Sequence, residues 1–225
     1  MSNGKVVQWI LGRNVKVSNI EFVHDPDRSI VSKYMRSHGS SVRSVHFVGS
    51  EQYLVAIHSR SLTTLRFTKT TLTCEFTNLL YYNPTVQRLE CEYVVCKEPN
   101  LMEGLSLHKL QSLRMVGVEA GKKQGCLWHE SVHSDSLHTV IWDDCSFEID
   151  DLTELLTNCV RLRSFSCNLN PAGGPLFLEH YAYLLTRLIN LSASYDYSLT
   201  DDTAQTLTKN LTALRSLNIQ CCFTL

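Results

Sequence analysis

One arrangement of apolar and polar residues recurs along the chain: an apolar residue, two others, a second apolar residue, one other, and a third apolar residue. It appears as VSNIEF (17–22), VRSVHF (42–47), LTTLRF (62–67), VQRLEC (86–91), LQSLRM (110–115), LHTVIW (137–142), LRSFSC (162–167), LINLSA (188–193) and LRSLNI (214–219). The central apolar residues are Ile20, Val45, Leu65, Leu89, Leu113, Val140, Phe165, Leu191 and Leu217, separated by 20 to 27 residues. Residues two apart on an extended strand share a side, so each copy predicts a short strand whose fourth and sixth positions are buried and whose intervening residue meets solvent. Stacked at this period, such strands make a parallel sheet on the concave face of a solenoid.

The intervening segments change from a period of two to a helical one. LTDDTAQTLTKNLTAL (199–214) opens on a Thr-Asp helix start and then places Ala204, Leu207, Leu211 and Leu214 on one face. IDDLTELLTNCVRL (149–162) repeats the plan with Leu152, Leu155, Leu156, Cys159 and Leu162, and LTCEFTNLLYYNPTV and GPLFLEHYAYLLTRL are further copies. Each repeat therefore reads strand, loop, helix, loop. A partial helix is expected over 6–16, ahead of the first strand.

The ninth position of the units reads Asp25, Ser50, Thr70, Val94, Val118, Cys145, Asn170, Asp196 and Cys222. Most of these side chains can bond loop backbone where a strand ends. On these residues, and above all on LHTVIWDDCSFEIDDL and LINLSASYDYSLTDDTAQTL, the chain resembles the cysteine-containing leucine-rich repeats of F-box proteins and is similar to ribonuclease-inhibitor-like horseshoes. The resemblance covers about Val6 to the end. It implies an α/β leucine-rich repeat solenoid of about nine repeats in a single domain over 1–225, with a concave parallel sheet and convex helices. The function it implies is protein recognition, with substrate selection for a ubiquitin ligase as one setting and the repeat region of an immune sensor or effector as another. No F-box segment accompanies the repeats. Pro99 and Gly104 interrupt the helical segment of the fourth repeat, and AGKKQG (120–125) lengthens the fifth. Because the chain stops at Leu225 just after a strand with no polar capping repeat, further repeats or a partner are expected over that end.

Composition narrows the partners. At 225 residues and 44% hydrophobic content, the chain can bury a large core. Its formal charge of −1 offers no electrostatic footprint for nucleic acid or an anionic membrane. The amino-terminal apolar run, Val6 to Leu11, is too short for a membrane span or a secretory core. Nine cysteines without a CxxC pair fit reduced, buried thiols and a cytoplasmic or nuclear location, in which the sequons at Asn190 and Asn210 stay unmodified. No cofactor is expected.

One stretch points elsewhere. HESVH (129–133) matches the HExxH signature, in which two histidines four apart on a helix hold zinc and the glutamate acts as base on the metal-bound water. With Glu154 as third ligand and Glu130 as base, it would make a zinc-dependent hydrolase. The repeat period aligns His129 with Glu154 and His133 with Asn158, outward positions on the convex side, where no cleft would hold a peptide. The motif therefore reads as solvated helix, and no catalytic residue is assigned. NPAGGP (170–175) lacks a phosphate-loop frame and reads as a turn.

The concave face remains as the candidate site. Its fifth-position column is Glu21, His46, Arg66, Glu90, Arg114, Ile141, Ser166, Ser192 and Asn218, with charge gathered in the first half. Its third-position column, Asn19, Ser44, Thr64, Arg88, Ser112, Thr139, Ser164, Asn190 and Ser216, is mostly small and polar. Arg and Tyr supply several contacts at fixed geometry and serve as interface anchors. The expected protein-binding patch is Arg66, Arg88, Glu90, Tyr93 and Arg114, flanked by Asp143 and Asp144.

Overall fold

The computed structural model describes residues 13, 15–23, 28–49, 57–98, 101, 107–120, 135–145, 149–169, 175–195 and 200–221. Its strands are β1 (Asn19–Val23), β2 (Ser44–Val48), β3 (Thr64–Thr68), β4 (Thr71–Leu72), β5 (Arg88–Glu92), β6 (Val95–Cys96), β7 (Ser112–Val116), β8 (Glu119–Ala120), β9 (Thr139–Asp143), β10 (Ser164–Asn168), β11 (Asn190–Tyr195) and β12 (Ser216–Cys221). Nine of them form one sheet in the order β1-β2-β3-β5-β7-β9-β10-β11-β12. Every pairing in it is parallel. Helices α1 (Arg28–His38), α2 (Cys74–Tyr82), α3 (Ile149–Asn158), α4 (Pro175–Tyr181) and α5 (Asp201–Asn210) lie between strands. The architecture is the α/β leucine-rich-repeat solenoid expected from the period.

Register follows the motif without a slip. Ile20 pairs with Val45, Val45 with Leu65, Leu65 with Leu89, Leu89 with Leu113 and Leu113 with Val140. Val140 pairs with Phe165, Phe165 with Leu191 and Leu191 with Leu217. A one-residue slip would turn the buried fourth and sixth positions to solvent, so burial holds the alignment.

Each strand starts two residues later than its motif. The reason is a repeated hydrogen-bond fork: the second- and third-position N–H groups both donate to the second-position carbonyl of the preceding repeat. Arg43 and Ser44 share the Ser18 carbonyl in this way (2.7 and 3.0 Å), and Gln87 and Arg88 share that of Thr63 (2.8 and 2.9 Å). Gln111 and Ser112 share the Gln87 carbonyl, and the pattern continues to Arg215 and Ser216 on Ile189. The first motif residue precedes the strand and enters the core; Val42, Leu62, Leu110, Leu137, Leu162 and Leu188 are fully buried there.

Side chains at the fourth and sixth positions and on the inner helix faces join one continuous core. Phe22, Phe47 and Phe67 stack at sixth positions with centroids 5.4 and 5.3 Å apart, and Phe76 of α2 meets Phe67 edge-on at 5.1 Å. Fully burying an aliphatic or aromatic side chain is worth about 1.5–3 kcal/mol, so the stack anchors the first three repeats. Leu152, Leu155 and Leu156 of α3, and Cys159 just after it, are buried as their spacing predicts. The Thr200 side chain caps α5 by accepting from Thr203 N–H at 3.1 Å. Asn83, fully buried, accepts from Ser59 N–H and donates to the carbonyls of Ile57 and Leu79, leaving no amide atom unpaired in the core.

Of the partial helix expected over 6–16, only Arg13, Val15 and Lys16 are described, and none of them is helical. Among the described residues no helix is long and apolar enough to cross a membrane.

Candidate interaction surface

The third, fifth and seventh positions of the nine strands line one face of the sheet, which is polar apart from Val23, Val48, Val116 and Ile141. Near its centre, the Glu92 carboxylate at a seventh position bridges two fifth-position arginines: Oε2 lies 3.0 Å from Arg66 Nη2 and Oε1 lies 3.0 Å from Arg114 Nε. Arg66 Nε approaches Glu90 Oε2 at 3.5 Å, an ion-pair contact without hydrogen-bond alignment. Burial works to raise the Glu92 carboxyl, but the bonds from Arg114 and Arg66 outweigh it and hold the acid below its ordinary value. The bond to Glu92 in turn raises Arg66, against a smaller opposing effect of burial. Alternating charge on adjacent strands thus makes a fixed lattice across β3, β5 and β7.

Toward the first repeat the lattice continues through His46, whose Nδ1 lies 3.3 Å from Glu21 Oε2 and whose Nε2 lies 3.0 Å from Thr68 Oγ1. Toward the last, it changes character. Ser166 Oγ donates to the Asp143 carboxylate at 3.4 Å, and Asn218 Nδ2 donates to Ser192 Oγ at 3.2 Å. Burial raises the Asp143 carboxyl above the ordinary range, and the Ser166 hydroxyl and the Arg114 charge only partly offset this.

At the ends of β2, β3, β5, β7 and β9 the eighth position turns left-handed. Gly49, Lys69, Tyr93, Gly117 and Asp144 have φ of 62°, 52°, 53°, 59° and 53°. The N–H groups of Gly49, Lys69, Tyr93 and Gly117 donate to the seventh-position carbonyl of the next strand at 2.7–3.0 Å, and Leu169, whose φ is not positive, does the same at 2.8 Å. Tyr93 lays its ring over Gly117, where a Cβ would stand 2.7 Å from Tyr93 Cδ1. The glycine is therefore required both by its backbone and by its neighbour's ring. At the ninth position Thr70 Oγ1 donates to the Thr68 carbonyl (3.1 Å) and Cys145 Sγ to that of Asp143 (3.2 Å), the loop-closing role expected there. Burial pushes the Cys145 thiol up to about 12, so it stays protonated and can donate. Val94 and Val118 are buried instead, and the next residues form a second small parallel sheet, β4-β6-β8.

The expected patch is thus divided by the structure. It brings Arg66, Glu90 and Arg114 together around Glu92. Tyr93 and Asp144 stand exposed at the carboxyl-terminal rim of the strands, with Asp143 half-buried beside them. Arg88 lies apart at the amino-terminal rim, exposed and in no ion pair among the described residues. It lines a groove of about 240 Å³ with the hydroxyls of Thr63, Thr64 and Ser112, the amides of Gln87 and Gln111, and His138. Glu92 was outside the expected patch, yet its signal is plain in the columns: an acid at the seventh position beside basic fifth positions in both neighbouring repeats.

HESVH, with His129, Glu130 and His133, lies outside the described residues. Glu154 is exposed on α3, and among the described residues no three or more His, Cys, Asp and Glu side chains gather as a metal site.

No family model matches the chain, and no curated protein matches it. Solved structures do. Internalin C2 of Listeria monocytogenes is similar over 92% of this chain and 78% of its own, at 13% identity with a TM-score of 0.53. The plant peptide hormone receptor RGFR1 in complex with RGF2 aligns with 92% of this chain and 39% of that one, at 14% identity with a TM-score of 0.41. At these identities the likeness is one of fold.

Proposed function

We propose that the chain is a recognition scaffold that binds a protein or peptide on its concave sheet. The observation that carries this is the floor itself: nine parallel strands hold a largely polar surface on which Arg66, Glu90, Glu92 and Arg114 are fixed by one another before any partner arrives. Preorganised side chains lose little freedom on binding, which is how a rigid surface gains affinity.

The resemblance to F-box repeats extends the proposal to substrate selection for a ubiquitin ligase in the cytoplasm or nucleus. Support for that setting comes from Cys145 in its loop-closing place, where its thiol donates to the Asp143 carbonyl. Co-purification with a ligase core is expected in that setting, and its absence from the full-length protein's complexes would refute it.

The scaffold reading is tested by selecting binders from a random displayed-peptide library. Ser166→Trp plants a large ring at mid-column, whereas Glu154→Lys alters an exposed convex position. Selected peptides are expected to lose binding to the first and keep binding to the second. The opposite pattern would move the site to the helices.

A further inference from the structure

The two rims of the sheet carry opposite charge. At the second and third positions the described residues include Arg43, Arg88, Arg163 and Arg215 and no acid. At the seventh and eighth positions they include Glu92, Asp143 and Asp144 against Lys69 alone. The strands all run the same way, so the arginines of β2, β5, β10 and β12 fall on one rim and the acids of β5 and β9 on the other, and the difference does not cancel as it would in an antiparallel sheet.

We infer that the groove around Arg88 on the amino-terminal rim binds an acidic segment of an extended peptide, with a carboxylate seated on the Arg88 guanidinium. This deepens the concave-face proposal and rests on it. Arg66 and Arg114 already spend their charge on Glu92, whereas Arg88 keeps its own for a ligand. The groove has no acidic lining, and its amides and hydroxyls supply further donors. The backbone offers a ligand almost nothing: the carbonyls of Thr63, Gln87 and Gln111 each accept two N–H groups from the next strand. Strand addition is thereby excluded at this rim, and recognition falls to side chains. The groove crosses from β3 to β9, three strand spacings of about 4.8 Å, which suits about four extended residues.

The test is fluorescence anisotropy with fluorescein-labelled pentaglutamate, compared with pentaglutamine, pentalysine and a dT5 oligonucleotide. Pentaglutamate is expected to bind most tightly and to weaken with added salt as surface charge is screened. Arg88→Glu is expected to weaken it by about tenfold or more, and Arg88→Gln by less. Lys209→Glu, on exposed α5, is expected to leave it unchanged. An unaltered affinity in Arg88→Glu, an equal loss in Lys209→Glu, or tighter binding of any other probe overturns the inference. Library-selected peptides separate the two proposals: binding lost in Ser166→Trp but intact in Arg88→Glu removes only the acidic groove, while binding intact in both removes the concave-face reading as well.

Discussion

The repeats of β3 to β9 and those of β10 to β12 are built on one motif and differ in what fills it. In the earlier group, sixth positions hold Phe67, Cys91, Met115 and Trp142, and a second sheet follows the ends of β3, β5 and β7. In the later group the sixth positions are Cys167, Ala193 and Ile219, and the fifth-position column becomes Ser166, Ser192 and Asn218. Leu65 and Leu217 occupy the same motif position, yet the first is 0% and the second 50% exposed. A repeat's stability therefore comes from its neighbours as much as from its own consensus residues, as expected where each unit buries its apolar face on the next.

The sharpest break in that comparison is the pair Leu65→Ala and Leu217→Ala. The first is expected to cost about 2–5 kcal/mol and the second well under half of that, measured by urea unfolding, since only one leaves a full cavity. Equal losses would mean that the last strand is as well covered as the third.

Glu92→Gln comes next, at about 1–2 kcal/mol near neutral pH, reduced by the partial exposure of both arginines. The folded-state acid lies below its unfolded value of about 4.3, so its contribution is present above that pH and is lost as pH falls through the folded value. Unfolding curves of wild type and variant should converge in acid. A constant gap would remove the ion lattice as the cause.

Gly117→Ala is expected to cost about 1–2 kcal/mol, chiefly from its left-handed backbone. Adding Tyr93→Ala should recover only the part due to the ring. Complete recovery would mean that the φ of 59° carries no penalty.

The smallest effect is expected from Asp143→Asn, a rise of about 1–2 °C in melting temperature at neutral pH. Burial raises this acid in the folded state, so its ionisation opposes folding at high pH and ceases to do so below the unfolded value of about 3.9. The gain should therefore vanish in acid.

How far the sequence discloses this molecule depends on which positions are asked. The nine central apolar residues place every strand of the main sheet in register, because a period-two pattern and a fixed repeat length leave one alignment that buries both apolar positions, whereas the small sheet β4-β6-β8 had no such pattern. The helix α1 was not among the segments expected: Val31, Tyr34, Met35 and His38 lie at helical spacing and are buried, but RSIVSKYMRSH has none of the leucines that mark the other helices. The site was legible only as columns. Which arginine is spent on a neighbour and which is free depends on contacts between strands more than 20 residues apart, and no single repeat contains that information. The left-handed eighth position shows in Gly49, Gly117 and Asp144 but is hidden in Lys69 and Tyr93, whose residue types do not favour it.

The most direct measurement is the change in amide chemical shifts of the ¹⁵N-labelled chain on titration with a library-selected peptide. Shifts concentrated at third, fifth and seventh positions, from Thr64 and Arg88 through Glu92 to Ser166, are expected for concave-face recognition. Shifts concentrated on α2 to α5, with the strand columns unmoved, would contradict it.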